Sequence, residues 1–191
     1  MKDGSQQVSF ESKGQFSQLG DLNKQTKSVL FVLHGQGQLA KYFIQKFKIL
    51  QTEEFAIIAP EGLHNYYLEG YTGRVGASWM TSENRVTSIE NYINFLNAML
   101  SQVKSQLPND VNINVLGFSQ GTATACRWMA QSTFNFKKLI LWGGALPPDL
   151  NKEQINQRMD EKKLIHVIGD KDPYINSEKV EEIKALANNY D

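Results

Sequence analysis

NINVLGFSQGTATACRWMA, residues 112–130, decides the reading of this chain. An apolar run, Ile113–Phe118, leads straight into Gly117-Phe118-Ser119-Gln120-Gly121, and a stretch rich in small residues leads out. The pattern G-x-S-x-G between a strand and a helix presents the serine on a sharp turn, its hydroxyl clear of the sheet. Such a turn strains the backbone at Ser119. Side chains at positions 117 and 121 would collide across it. The helix that follows aims its N-terminus at the serine, and free N–H groups there favour developing negative charge. The Gln120 N–H is thus a natural oxyanion donor, and Ser119 a candidate nucleophile.

Other apolar runs repeat the design. SVLFVLHG (28–35), FAIIAPEG (55–62), KLILWGG (138–144) and KLIHVIGD (163–170) are apolar on both faces, and most end in glycine or proline. Strands of this kind belong in a parallel sheet covered on both sides. A further short strand is expected around Val8 and Phe10. Helices are expected at Leu39–Leu50, at Ser119–Thr133 and at Glu178–Asn188. The clearest helix follows TSEN, capped by Thr81 or Ser82. Its apolar stripe is Val86, Ile89, Ile93, Leu96, Leu100, Val103 and Leu107, stopped by Pro108. Alternating strands and helices predict one α/β domain over residues 1–191, a three-layer α/β/α sandwich with a mostly parallel sheet.

HGQGQLA, residues 34–40, has two readings. Gly35-x-Gly37-x-x-Ala40 fits a dinucleotide fingerprint, with Glu61 as ribose partner. It also fits an H-G-x-G loop whose Gln36 N–H supplies a second oxyanion donor. Only the latter agrees with a nucleophilic serine in the same sheet. GDKDPYI, residues 169–175, follows the last apolar strand and offers an acid at the same sheet edge. Asp172, presented by the loop before Pro173, is preferred to Asp170. LHNYYLEGYTGRVGASWM, residues 63–80, is either a hairpin whose Tyr66, Tyr67, Tyr71 and Trp79 fill a satellite core or a wall of a substrate cleft. His34 and Trp79 are the residues expected beside that cleft.

Twenty basic residues balance twenty acidic ones, which gives no footprint for nucleic acid. No run is long enough to span a bilayer, and no signal peptide is evident, so a cytoplasmic location is expected. The single cysteine, Cys126, excludes an internal disulfide, and no histidine forms a metal-binding pair, so no metal is expected.

These motifs together resemble the α/β-hydrolase superfamily. Within it the chain resembles the small carboxylesterase/phospholipase group, whose elbow reads G-F-S-Q-G and whose oxyanion loop reads H-G-x-G. GRVGASWM and GDKDPYI also resemble segments of that group. The resemblance implies Ser119 as nucleophile, Asp172 as acid, Gln36 and Gln120 as oxyanion donors, and hydrolysis of a small-molecule carboxylic ester or thioester without a cofactor. It further implies a histidine, after one more helix and strand, as base. The sequence holds only His34, His64 and His166 and stops at NNYD. The expectation is a hydrolase fold lacking its last strand and helix, either a shortened form of a longer esterase or a non-catalytic pseudohydrolase that binds an acyl ligand. An edge strand left at Leu164–Ile168 would favour a homodimer.

Overall fold

In the computed structural model, residues 6–144, 146–150, 158–159 and 162–169 are described. They form a six-stranded sheet in the order β1-β3-β2-β6-β7-β8. Its strands are β1 (Phe16–Leu19), β2 (Ser28–Leu33), β3 (Phe55–Pro60), β6 (Asn112–Phe118), β7 (Lys138–Trp142) and β8 (Lys163–Val167). β1 pairs antiparallel with β3, and every other pairing is parallel. A separate two-stranded hairpin joins β4 (His64–Tyr67) to β5 (Val75–Ser78).

The period of two along each strand divides the core. Val29, Phe31 and Leu33 of β2 face one side, with Ile113 and Val115 of β6. There they meet α2 (Arg85–Lys104) and α3 (Gln120–Gln131). Leu30 and Val32 face the other side, with Ile57 of β3 and Leu116 of β6. That side is covered by α1 (Ala40–Phe43) and the 3-10 helix Ile44–Leu50, through Phe43, Ile44 and Phe47. The result is the expected α/β/α sandwich with a mostly parallel sheet.

Several boundaries differ from the sequence reading. Val8 and Phe10 form no strand and are 85% and 81% exposed. Two alternating residues bury too little to fix a register, and the strand forms instead at Phe16–Leu19, where β3 offers a partner. The expected helix over 39–50 keeps only four α-helical residues before tightening. Leu39 provides no side-chain cap, and the spacing of Ile44, Phe47 and Leu50 suits three residues per turn. α2 starts at Arg85 rather than after Thr81 or Ser82, because Asn84 turns left-handed at φ 48°. Val86 consequently leaves the stripe and is 65% exposed, whereas Ile89 through Val103 remain buried. The helix expected at Glu178–Asn188 lies outside the described residues, as do Asp170 and Asp172.

Candidate active site

β6 delivers the chain to Ser119, which adopts φ 52°, ψ −118° immediately before α3. A non-glycine residue is strained there, and the surrounding bonds hold it. The Ser119 N–H donates to the Trp142 carbonyl at the end of β7 (2.9 Å). The Ser119 carbonyl accepts from the Thr122 N–H (2.9 Å) and hydroxyl (2.6 Å). The residue itself is exposed. A Cβ on Gly117 would run into the Gly121 carbonyl, and one on Gly121 into the Leu33 carbonyl. Only two glycines allow the last strand residues and the first helical turn to approach so closely.

The loop after β2 lies directly against this turn. A Cβ at Gly35 would stand 3.2 Å from the Ser119 Cβ. The loop is sewn to the hairpin by the Gly37 N–H to the Ala77 carbonyl (2.8 Å) and the Ala77 N–H to the Gln38 carbonyl (3.2 Å). Its tip, Gln36, is exposed. Neither the Gln36 N–H nor the Gln120 N–H donates to another described residue, and the latter opens α3, where the helix itself offers no acceptor.

His34 and Trp79, expected to border a cleft, are both fully enclosed, so they support the loop from behind. The Gly62 N–H donates to His34 Nε2 (2.9 Å), which leaves the proton on Nδ1, facing the Gly35 carbonyl at 2.7 Å. The Trp79 indole N–H donates to the His34 carbonyl (2.9 Å), and the two rings lie 5.1 Å apart. Burial pushes the His34 pKa down, against the opposing pull of the Gly35 carbonyl and Glu61. Both ring nitrogens are thus committed in a neutral imidazole. His166 points Nε2 at the Gly144 carbonyl (2.6 Å), and burial lowers its pKa too. His64 opens β4 and faces a groove shared with Asn91 of α2. Among the described residues none of the three is hydrogen-bonded to Ser119. Cys126 is no rival nucleophile, since burial raises its thiol pKa to about 12.

The tyrosines of residues 63–80 do not form a satellite core. Tyr66, Tyr67 and Tyr71 are 37%, 49% and 93% exposed. Tyr66 and Leu68 lie against Gly37, which puts the hairpin beside the loop that adjoins Ser119.

Three contributions were not anticipated. The Gln120 side chain clasps the segment after β5: Oε1 accepts from the Trp79 N–H (3.0 Å) and Nε2 donates to the Met80 carbonyl (2.8 Å). Glu61 is buried and accepts from Gln15 Nε2 (2.6 Å), the Ala40 N–H (3.1 Å) and Asn65 Nδ2 (3.2 Å). It caps the first helix, which corrects its reading as a ribose partner: its oxygens are spent inside the protein. Arg127 of α3, 4% exposed, makes a two-pronged contact with Asp149 at 2.8 and 3.0 Å, and Arg85 joins the same carboxylate at 2.8 Å. That contact ties the segment after β7 to α3, the helix that follows Ser119. Among the described residues no group of histidine, cysteine, aspartate or glutamate is arranged to hold a metal, and no helix is long and apolar enough to cross a membrane.

The turn thus presents a strained, exposed serine at a strand–helix junction, faced by a glycine loop. Residues 20–190 match the family model described as phospholipase/carboxylesterase. The chain belongs to that family. No curated protein sequence matches it significantly. Among solved structures it is similar to acyl-protein thioesterase 2 from Zea mays, with TM-score 0.62 at 19% identity over 93% of this chain and 86% of that one. It is also similar to the Bacillus cereus carboxylesterase, with TM-score 0.61 at 18% identity over 93% and 81%. A phospholipase/carboxylesterase from Dyadobacter fermentans gives TM-score 0.59 at 16% identity over 95% and 100%. At these identities the structural likeness is one of fold, and the family membership supports esterase-type hydrolysis.

Proposed function

We propose that the protein is a serine hydrolase that cleaves carboxylic esters or thioesters through an acyl-enzyme on Ser119. The observation that carries the proposal is the exposed Ser119 at φ 52° with the Gly35–Gly37 loop packed against it. Attack by Oγ on the substrate carbonyl places negative charge on its oxygen. The Gln36 and Gln120 N–H groups are the proposed donors to that oxyanion, and each such donor is worth about 10²–10³ in rate. The loop is held by Ala77, and Gln120 by its own side chain, so little reorganisation accompanies charge development. Asp172 is the proposed acid that orients the base. His34 holds both ring nitrogens in other bonds and His166 holds its Nε2 in one, so neither nitrogen set is directed at Ser119 by a hydrogen bond.

That same commitment of ring nitrogens favours a second reading, a non-catalytic module that binds an acyl ligand at the same turn. Acid-quenched incubation with a 4-nitrophenyl ester, followed by peptide mapping, distinguishes the two. An acyl group on the peptide containing Ser119, absent from Ser119→Ala, supports the hydrolase. A bound ester recovered intact, with no acyl-peptide, favours the binding module.

A further inference from the structure

A second feature adjoins the oxyanion loop. An open groove of about 700 Å³ runs between α1, the start of the 3-10 helix and the β4–β5 hairpin. Its wall carries Lys41, Lys46 and Arg74, and no aspartate or glutamate lines it. In a chain whose charges balance at twenty each, a run of three cations without an acid is a local excess. Among the described residues none of the three forms an ion pair. Lys41 Nζ instead lies 5.0 Å from the Tyr42 ring centroid. The groove is anchored as well as charged, because the Arg74 carbonyl accepts from the Leu68 N–H (2.8 Å) and closes the hairpin. Gly37 forms one edge of it, with Leu68 packed alongside. Gly37 is two residues from Gly35, which packs beside Ser119, so the groove begins within about 7 Å of Gly35 by the reach of an extended chain.

We propose that this groove binds an anionic group, phosphate or carboxylate, carried by the substrate a few bonds from the scissile carbonyl. This deepens the hydrolase reading and rests on it. The cations recognise the charge, and the apolar surface of Leu68 accepts the intervening carbons. A neutral ester of the same length gains only the apolar part. Attraction in an open groove is screened by salt, so the preference falls as ionic strength rises.

Hexyl phosphate, hexanoate, hexanol and inorganic phosphate, titrated separately into the 191-residue protein at low salt by calorimetry, test this without any turnover. Hexyl phosphate or hexanoate should bind at least tenfold more tightly than hexanol. Lys41→Gln/Arg74→Gln should lose that advantage while Ser119→Ala keeps it, with unchanged circular dichroism in both. Equal affinity for the charged and neutral hexyl compounds, or full affinity in the double variant, overturns the proposal. Inorganic phosphate binding as tightly as hexyl phosphate overturns it too, since a site for free anion owes nothing to a substrate chain. A failure of Ser119 to take up an acyl group counts against the hydrolase reading alone, because the titration is read independently of it.

Discussion

Replacing Asp149 with asparagine probes how the segment after β7 is fastened to α3. Arg127 is buried, and Asp149 meets it with both oxygens while also holding Arg85. The Arg127 hydrogen bonds hold the Asp149 carboxyl well below its usual range, from 3.8 to about 2. Fully expressed, that displacement is worth about 2.4 kcal/mol. The Asp149 side chain is 34% exposed, so solvent screening reduces this to about 1 kcal/mol. Breaking a fully buried pair costs about 3–5 kcal/mol, and the water reaching Asp149 brings that estimate to about 2 kcal/mol. Asp149→Asn should therefore destabilise the protein by about 1–2 kcal/mol at pH 7. The pH dependence has a definite sign. A carboxyl whose folded pKa is depressed stabilises above its unfolded pKa, and that contribution is lost as pH falls through the folded value. The difference between wild type and variant should hold from pH 7 to about 5, then shrink toward zero near pH 2. Urea unfolding followed by tryptophan fluorescence at pH 7, 5, 4 and 3 measures it. A difference that stays constant from pH 7 to 3, or no difference at pH 7, refutes the reasoning.

Two other perturbations follow from the same geometry. Gly121→Ala drives a Cβ into the Leu33 carbonyl, so the turn must open, and a loss of about 2–4 kcal/mol in urea unfolding is expected. Stability unchanged within experimental error would mean that the turn is looser than described. His34 and His166 are held neutral with lowered pKa values, so both must take up protons on unfolding below their ordinary value of 6.5. Their contribution is present above that pH and declines as pH falls. The thermal midpoint should drop between pH 7 and 5, and His34→Gln should flatten that limb as well as lower stability. A limb of unchanged slope in the variant would assign the titration elsewhere.

Five of the six strands of the sheet were legible because they are continuous apolar runs, most ending in glycine or proline, whereas β1, FSQL, has no such run and was not. Ser119 and the Gly35–Gly37 loop were legible for a related reason: close approach demands glycines at fixed offsets, and those offsets are visible in one dimension. The ends of elements were not. Asn84 turns left-handed and moves the start of α2, and nothing in its neighbours' polarity announces that. The interior roles of Gln120 and Glu61 were hidden because each depends on a partner brought near only by folding. Trp79 lies 41 residues from Gln120, and Ala40 lies 21 from Glu61. Arg127 and Asp149 face each other across 22 residues in elements whose packing no periodicity encodes. Trp79 and His34 were placed correctly near the turn but on its inner side, since proximity in sequence to a functional loop says nothing of which surface a ring presents.

The central proposal is that Ser119 is a nucleophile with the Gln36 and Gln120 N–H groups as oxyanion donors, and no histidine among the described residues is hydrogen-bonded to it. The most direct test is the rate at which a fluorophosphonate ester adds to the 191-residue chain, followed by intact mass, with and without added imidazole. The account predicts slow labelling alone and labelling faster by a factor on the order of 10² with imidazole, the lower end of what a general base contributes. The adduct should map to Ser119 and vanish in Ser119→Ala. Labelling that ignores imidazole and maps to another residue, or none under either condition, would contradict the account.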